Sequence, residues 1–147
     1  MRVENILGVA RERLATVAED ALLMDAAKLL SNPSYNLIVV CDESGKAIGV
    51  ITKTDIVSRI SHCTGCSCSM PASKVMSTEI VSCRPNDVLS DVWFAIRKRG
   101  LKNVPIVDDR AAPIGVANAR DVLQSLLEDV EHEEKLLQDY VMGIGYQ

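Results

Sequence analysis

Aromatic side chains are scarce: 147 residues hold one Trp, one Phe and three Tyr. A surface that stacks unpaired bases draws on several aromatic rings, so single-stranded nucleic acid is a poor fit. Basic excess is lacking too. Sixteen Lys and Arg stand against 20 Asp and Glu, for a formal charge of −4, whereas binding to phosphate backbones draws on clustered cations. The one dense basic run, Arg97-Lys98-Arg99, falls where a helix should end, and the helix dipole favours cations there. No apolar run approaches the length of a bilayer span, and the start Met1-Arg2-Val3-Glu4 has no signal-type apolar region. These absences predict a soluble, cytoplasmic chain with neither nucleic acid nor membrane as partner. His62 and His132 are the only histidines, and neither belongs to a nucleophile–base arrangement. With no phosphate-binding loop and no dinucleotide fingerprint, an enzyme is not expected.

Aliphatic residues are what the chain has. At 48% hydrophobic content it can bury one core, or two small units that share one. An internal repeat favours the second arrangement. Shifting the sequence by 66 places apolar positions 22, 23, 26, 27 and 30 on 88, 89, 92, 93 and 96, and Asp25 on Asp91. That spacing is one face of an α-helix, with Asp20 and Asn86 as expected N-caps. Each helix is followed by two β-branched runs around a turn: 37–41 and 48–51 in the first copy, 104–107 and 114–117 in the second. Pro105 is expected at a strand start or on an exposed edge, where its missing N–H does no harm. A second helix opens at Thr52 and at Asn118, and short strands are expected near Leu14–Val17 and Ile80–Cys83. The predicted fold is α/β: two β-α-β-β-α units packed sheet to sheet with pseudo-two-fold symmetry. The expected divisions are repeat one at 1–62, a cysteine-rich linker at 63–72, repeat two at 73–128 and a helical extension at 129–147.

The second unit's final helix, continued by that extension, carries Leu126, Leu127, Val130, Leu136, Leu137 and Val141, with Glu128, Asp129, Glu131, Glu133 and Glu134 between them. Such a stripe can pack on its own unit or join two copies. It outruns what one small unit can cover, so a homodimer is expected.

Gly49-Val50-Ile51-Thr52-Lys53-Thr54-Asp55 and Gly115-Val116-Ala117-Asn118-Ala119-Arg120-Asp121 stand at the same place in the two copies. With Asn103-Val104-Pro105-Ile106-Val107-Asp108 and Lys74-Val75-Met76, they resemble a tandem pair of CBS domains, a Bateman module of the small stand-alone bacterial kind. The resemblance runs from about Ile6 to Leu127. It implies a flat module that commonly dimerises into a disk and binds AMP, ADP, ATP or a related adenosyl ligand in clefts between repeats. It also implies regulation of another protein. The chain shows no further domain, so that partner is expected to be separate.

The motif chemistry can be read without the family. Thr52 and Asn118 sit where a strand turns into a helix, and a helix N-terminus offers unpaired N–H groups and partial positive charge to a phosphate. Lys53 and Arg120 add cations, while Asp55 and Asp121 present carboxylates able to accept ribose hydroxyls. The family resemblance would place adenine against Thr16-Val17 and Ser82-Cys83. The same residues also read as helix caps, Thr52-x-x-Asp55 and Asn118-x-x-Asp121, each contributing about 1 kcal/mol with no ligand.

Five cysteines are present, three of them in His62-Cys63-Thr64-Gly65-Cys66-Ser67-Cys68. That spacing can bring three thiolates to one zinc ion, with His62 or Cys83 as the fourth ligand. It also suits a redox-responsive adaptor, or a linker with no specific chemistry. Cys41 lies in an apolar run and reads as a small buried hydrophobe.

Overall fold

A computed structural model describes residues 1–62 and 70–145. A short 3-10 turn (Val3–Ile6) leads into α1 (Leu7–Glu12). Then follow β1 (Thr16–Ala18), α2 (Leu23–Leu30), β2 (Leu37–Cys41), β3 (Ala47–Thr52) and α3 (Lys53–His62). A second 3-10 turn (Ala72–Lys74) precedes α4 (Leu89–Arg99), β4 (Asn103–Val107), β5 (Pro113–Asn118) and α5 (Ala119–Gly145). The first sheet is ordered β1-β2-β3, with β1 parallel and β3 antiparallel to β2; β4 and β5 form a second, antiparallel sheet.

Three apolar clusters hold the halves. One gathers Leu23, Ala26, Leu30, Ile38, Val40, Ile51 and Ile56 in the first half. Another gathers Leu89, Val92, Ile96, Val104, Ile106, Ala117 and Val122 in the second. Between them Leu37 and Val39 of β2 meet Val116 of β5, the expected sheet-to-sheet contact. Each fully buried Leu, Ile or Val contributes about 1.5–3 kcal/mol.

Each half is completed by a segment from elsewhere in the chain. Val3, Ile6 and Ala10 lie in the core of the second half, whereas Ala72 lies in the core of the first. The backbone follows suit. Leu23 N–H donates to Met70 O (2.8 Å) and Ala72 N–H to Ala21 O (2.7 Å); Leu89 N–H donates to Met1 O (2.9 Å) and Val3 N–H to Asp87 O (2.9 Å). The chain thus crosses between halves at residues 13–15 and again near 77–79. This exchange corrects the expected caps. The residues before α2 and α4 are Leu22 and Val88, with no side-chain cap bond, and Asp20 and Asn86 stand two positions upstream. An incoming backbone carbonyl already satisfies the first helical N–H, so a polar cap there has nothing to add.

A second correction concerns Ile80–Cys83, expected as a strand. It forms only a single parallel bridge, Cys83 to Ile106. In the first half Val39 N–H donates to Ala15 O (3.0 Å), the rung that leads into β1. Sixty-six residues on, Val39 becomes Pro105 and Ala15 becomes Val81. Proline has no N–H, so that rung cannot form and pairing shrinks to Cys83 N–H to Pro105 O (3.0 Å) and Val107 N–H to Cys83 O (2.9 Å). Pro105 itself is buried as the third residue of β4, opposite Val116 of β5, and not at a strand start or exposed as expected. The other predicted first strand is observed at Thr16–Ala18, slightly later than expected.

The hairpin turns match between halves. Asp42 Oδ1 accepts Ser44 N–H (2.9 Å) and Lys46 N–H (3.0 Å), and Asp108 Oδ1 accepts Arg110 N–H (2.9 Å) and Ala112 N–H (3.0 Å). These turns place β3 and β5 so that their ends, Thr52 and Asn118, open the helices that carry the motif aspartates.

Candidate functional site

Thr52 ends β3 and precedes the first residue of α3, so its side chain meets the free N–H groups of that helix. Asp55 N–H points at Thr52 Oγ1 (3.4 Å), and Asp55 Oδ2 accepts both Thr52 N–H (2.9 Å) and the Thr52 hydroxyl (3.1 Å). This reciprocal pairing is a capping box with Asp at the third position. The cap is therefore real. It does not exhaust the carboxylate, because Oδ1 has no partner among the described residues.

In front of this cap lies a cavity of about 610 Å³ between the two halves. Thr52, Lys53 and Asp55 form one side, and Ile80, Val81, Leu101, Asn103 and Pro105 form the other. Asn118 also faces it, so both motif caps share one cavity. Asn118 Nδ2 donates to Asn103 Oδ1 (3.0 Å), and its Oδ1 accepts Arg120 N–H (2.9 Å). Lys102 and Glu79 bring one further charge of each sign to the rim. Gly100 closes α4 in a left-handed conformation (φ 65°), which turns Leu101 and Lys102 into this wall.

The second motif aspartate is placed otherwise. Arg13, just past α1, meets Asp121 with two parallel bonds, Nε to Oδ2 (2.6 Å) and Nη2 to Oδ1 (3.2 Å). The Asp121 side chain is only 14% exposed. Both of its oxygens are thus engaged by a fork-shaped cation. Asp121 and Arg120 lie outside the large cavity, and Arg120 is exposed.

Of the four residues assigned to adenine by resemblance, Ser82 and Cys83 line a separate cavity of about 200 Å³ with Asp87, Val88 and Asp91. Thr16 is exposed and Val17 packs on the first core. Neither pair lines the large cavity, whose apolar wall is Ile80 and Val81 instead. Cys83 is buried, and burial pushes its thiol up to about 12, with Asp87 adding to the effect. A thiol held protonated is a poor metal ligand. Cys41 is half-buried, and desolvation also raises its thiol. The candidate zinc residues His62, Cys63, Cys66 and Cys68 have side chains outside the described residues. Among the described residues, no cluster of three or more metal-ligating side chains occurs.

Sequence reasoning missed Arg13, Glu79, Asn103 and Lys102. Two of them were within reach of the repeat: the 66-residue shift carries Arg13, which bonds Asp121, onto Glu79, which lines the same cavity as Asp55 with the opposite charge. No helix of the described residues is long and apolar enough to cross a membrane.

Comparison with known proteins agrees with this architecture. The chain is 34% identical over 96 residues to the CBS domain-containing protein YhcV of Bacillus subtilis, covering 65% of this chain and 67% of that one. The CBS domain pair of MJ0100, solved in complex with 5′-methylthioadenosine and S-adenosyl-L-methionine, superposes with a TM-score of 0.72 at 21% identity, covering 88% of this chain and 98% of that one. CBSX2, solved in complex with AMP, gives a TM-score of 0.73 at 18% identity, with 86% and 96% covered. Some curated relatives are much longer. The chain spans 20% of the L-aspartate semialdehyde sulfurtransferase of Methanocaldococcus jannaschii, to which it is 24% identical over 107 residues. The CBS domain family model matches residues 3–62 and again 72–128. With both repeats matched, the chain belongs to the CBS domain family.

Proposed function

We propose that this chain is a regulatory module that binds an adenine nucleotide or related adenosyl ligand in the cavity between its halves and signals to a separate protein. One observation carries the reading: a single cavity joins a capped helix N-terminus, a carboxylate with a free oxygen and an apolar wall. A phosphate fits the start of α3, where N–H groups and helix dipole favour an anion and Lys53 adds charge. A ribose hydroxyl fits Asp55 Oδ1. The purine fits between Ile80, Val81 and Leu101. Two structural neighbours were solved with bound AMP or with 5′-methylthioadenosine and S-adenosyl-L-methionine, ligands that share the adenosyl group.

Calorimetric titration with AMP, ADP, ATP, NAD and S-adenosylmethionine tests the reading. Binding by at least one ligand, weakened about 10- to 150-fold by Asp55→Ala, is expected for loss of a charge-assisted hydrogen bond. Silence across the panel would leave the module as a structural scaffold.

A homodimer is part of the same proposal. Leu123, Leu127, Val130, Leu137 and Val141 fall at intervals of three, four or seven residues along one face of α5, and all are exposed. A second copy that covers this seam would keep them from water. Glu134 stands in the seam between Val130 and Leu137, and Glu131 and Glu133 flank it, so the pairing should tighten as salt screens their repulsion. Sedimentation velocity at low and high salt, with Leu137→Glu as the disrupting variant, checks this.

A further inference from the structure

We infer that the chain takes one nucleotide and that Arg13 is the residue that sets this limit, by occupying the carboxylate the second cleft would offer. The inference rests on the nucleotide reading above. The two halves supply the same parts at the same spacing: a cap residue at 52 and 118, and an aspartate three residues on at 55 and 121. What differs is the segment that crosses in front of each aspartate. Two contacts show that these crossing segments are equivalent. Gly115 lies against Ala10, and Gly49, 66 residues earlier, lies against Met76, 66 residues after Ala10. The same shift places Arg13 opposite Glu79.

In the second half, the residue at that place is a cation that reaches Asp121 with both nitrogens of its fork, at 2.6 and 3.2 Å. The half-buried pair leaves neither carboxylate oxygen open to a sugar hydroxyl. Displacing Arg13 would leave its charge without a partner beside a partly buried site, which opposes ligand entry. In the first half the equivalent residue is an anion, which cannot pair with Asp55. Asp55 keeps Oδ1 open and lines the cavity together with Glu79. Charge reversal at one crossing position thus separates an aspartate that faces a cavity from one held by an arginine.

Four proteins titrated calorimetrically with AMP, and in parallel with S-adenosylmethionine, test this: the wild type, Arg13→Gln, Asp55→Ala and the Arg13→Gln/Asp55→Ala double variant. The wild type should bind one equivalent and Arg13→Gln two. Asp55→Ala should weaken its site about 10- to 150-fold, and the double variant should regain one tight equivalent, now at Asp121. Retained binding at the first cleft in Arg13→Gln doubles as the check that this variant folds. A reciprocal change, Glu79→Arg, should pair with Asp55 and weaken first-cleft binding at least tenfold, while Glu79→Gln should not. Two equivalents in the wild type, or one in Arg13→Gln, would overturn the role of Arg13 while leaving the nucleotide reading intact. Stronger binding by Glu79→Arg would do the same. No heat with any of the four proteins would overturn the nucleotide reading, and this inference with it.

Discussion

The two halves carry one pattern and reach two outcomes. In the first, Val39 donates the rung that pairs β1 to β2, Asp55 stays partly free, and a cavity opens before α3. In the second, Pro105 removes that rung, the 80–83 segment is held by one bridge, and Asp121 is locked to Arg13. The pattern that makes the fold therefore survives duplication, while a few positions off the apolar face set whether each motif aspartate faces a cavity or an arginine. Even the large cavity depends on both copies. The first supplies the cap and carboxylate, and the second supplies Val81, Leu101 and Asn103.

That contrast can be broken most severely at the two motif carboxylates. Asp55→Ala should weaken nucleotide binding about 10- to 150-fold, and Asp121→Ala should change it by less than about threefold, as read by calorimetry. Glycine substitutions come next. A Cβ at Gly115 would stand 3.0 Å from Ala10 Cβ and 3.1 Å from its carbonyl carbon, which the backbone of α1 cannot yield. At Gly49 the obstacle is Met76, whose Sδ can turn away but whose Cβ, 2.9 Å from the added carbon, is fixed by its backbone. Gly115→Ala should therefore destabilise by about 1–3 kcal/mol in denaturant unfolding, and Gly49→Ala by at least as much.

The helix caps give a smaller contrast. Thr52→Ala removes a capping box and should lose about 1 kcal/mol. Leu22→Ala and Val88→Ala, at caps without side-chain bonds, should show no cap loss. Smallest is the effect of restoring the missing rung. Pro105→Val supplies an N–H toward the Val81 carbonyl, and hydrogen exchange should find that new amide protected, with overall stability shifted by under about 1 kcal/mol. Cysteine chemistry sharpens the comparison without mutation. Peptide mapping after iodoacetamide at pH 8 should find Cys83 unmodified in the folded chain and modified in urea. Folding favours its protonated thiol, so this contribution is full below pH 9.0 and is lost as pH rises toward about 12.

Much of this was legible in the sequence. The 66-residue shift marked α2 and α4, both hairpins and both motif helices, because apolar spacing reports burial directly. The basic run closes α4 as its position suggested. The exchange of segments between halves was not legible. Residues 3–10 and 72–76 are short and carry no periodicity of their own, so nothing local says which core they join. The misassigned caps followed from that, since Met1 and Met70 supply the carbonyls that Asp20 and Asn86 were expected to replace. Thr52, Lys53, Asp55 and Asn118 were found by motif, and all four face the cavity. Asp121 was found too, but its partner lies 108 residues away in sequence, beyond the reach of any spacing argument. Ser82 and Cys83, expected against adenine by resemblance, line a separate small cavity, and it is Ile80 and Val81 that line the one before α3.

The most direct test of a single ligand-binding cleft before α3 is amide NMR of the ¹⁵N-labelled chain titrated with AMP. Shifts are predicted to concentrate at Thr52–Asp55, Ile80–Val81 and Leu101–Asn103, with the amides around Arg13 and Asp121 nearly unmoved. Shifts centred on Arg120, Asp121 and Arg13 instead would contradict it.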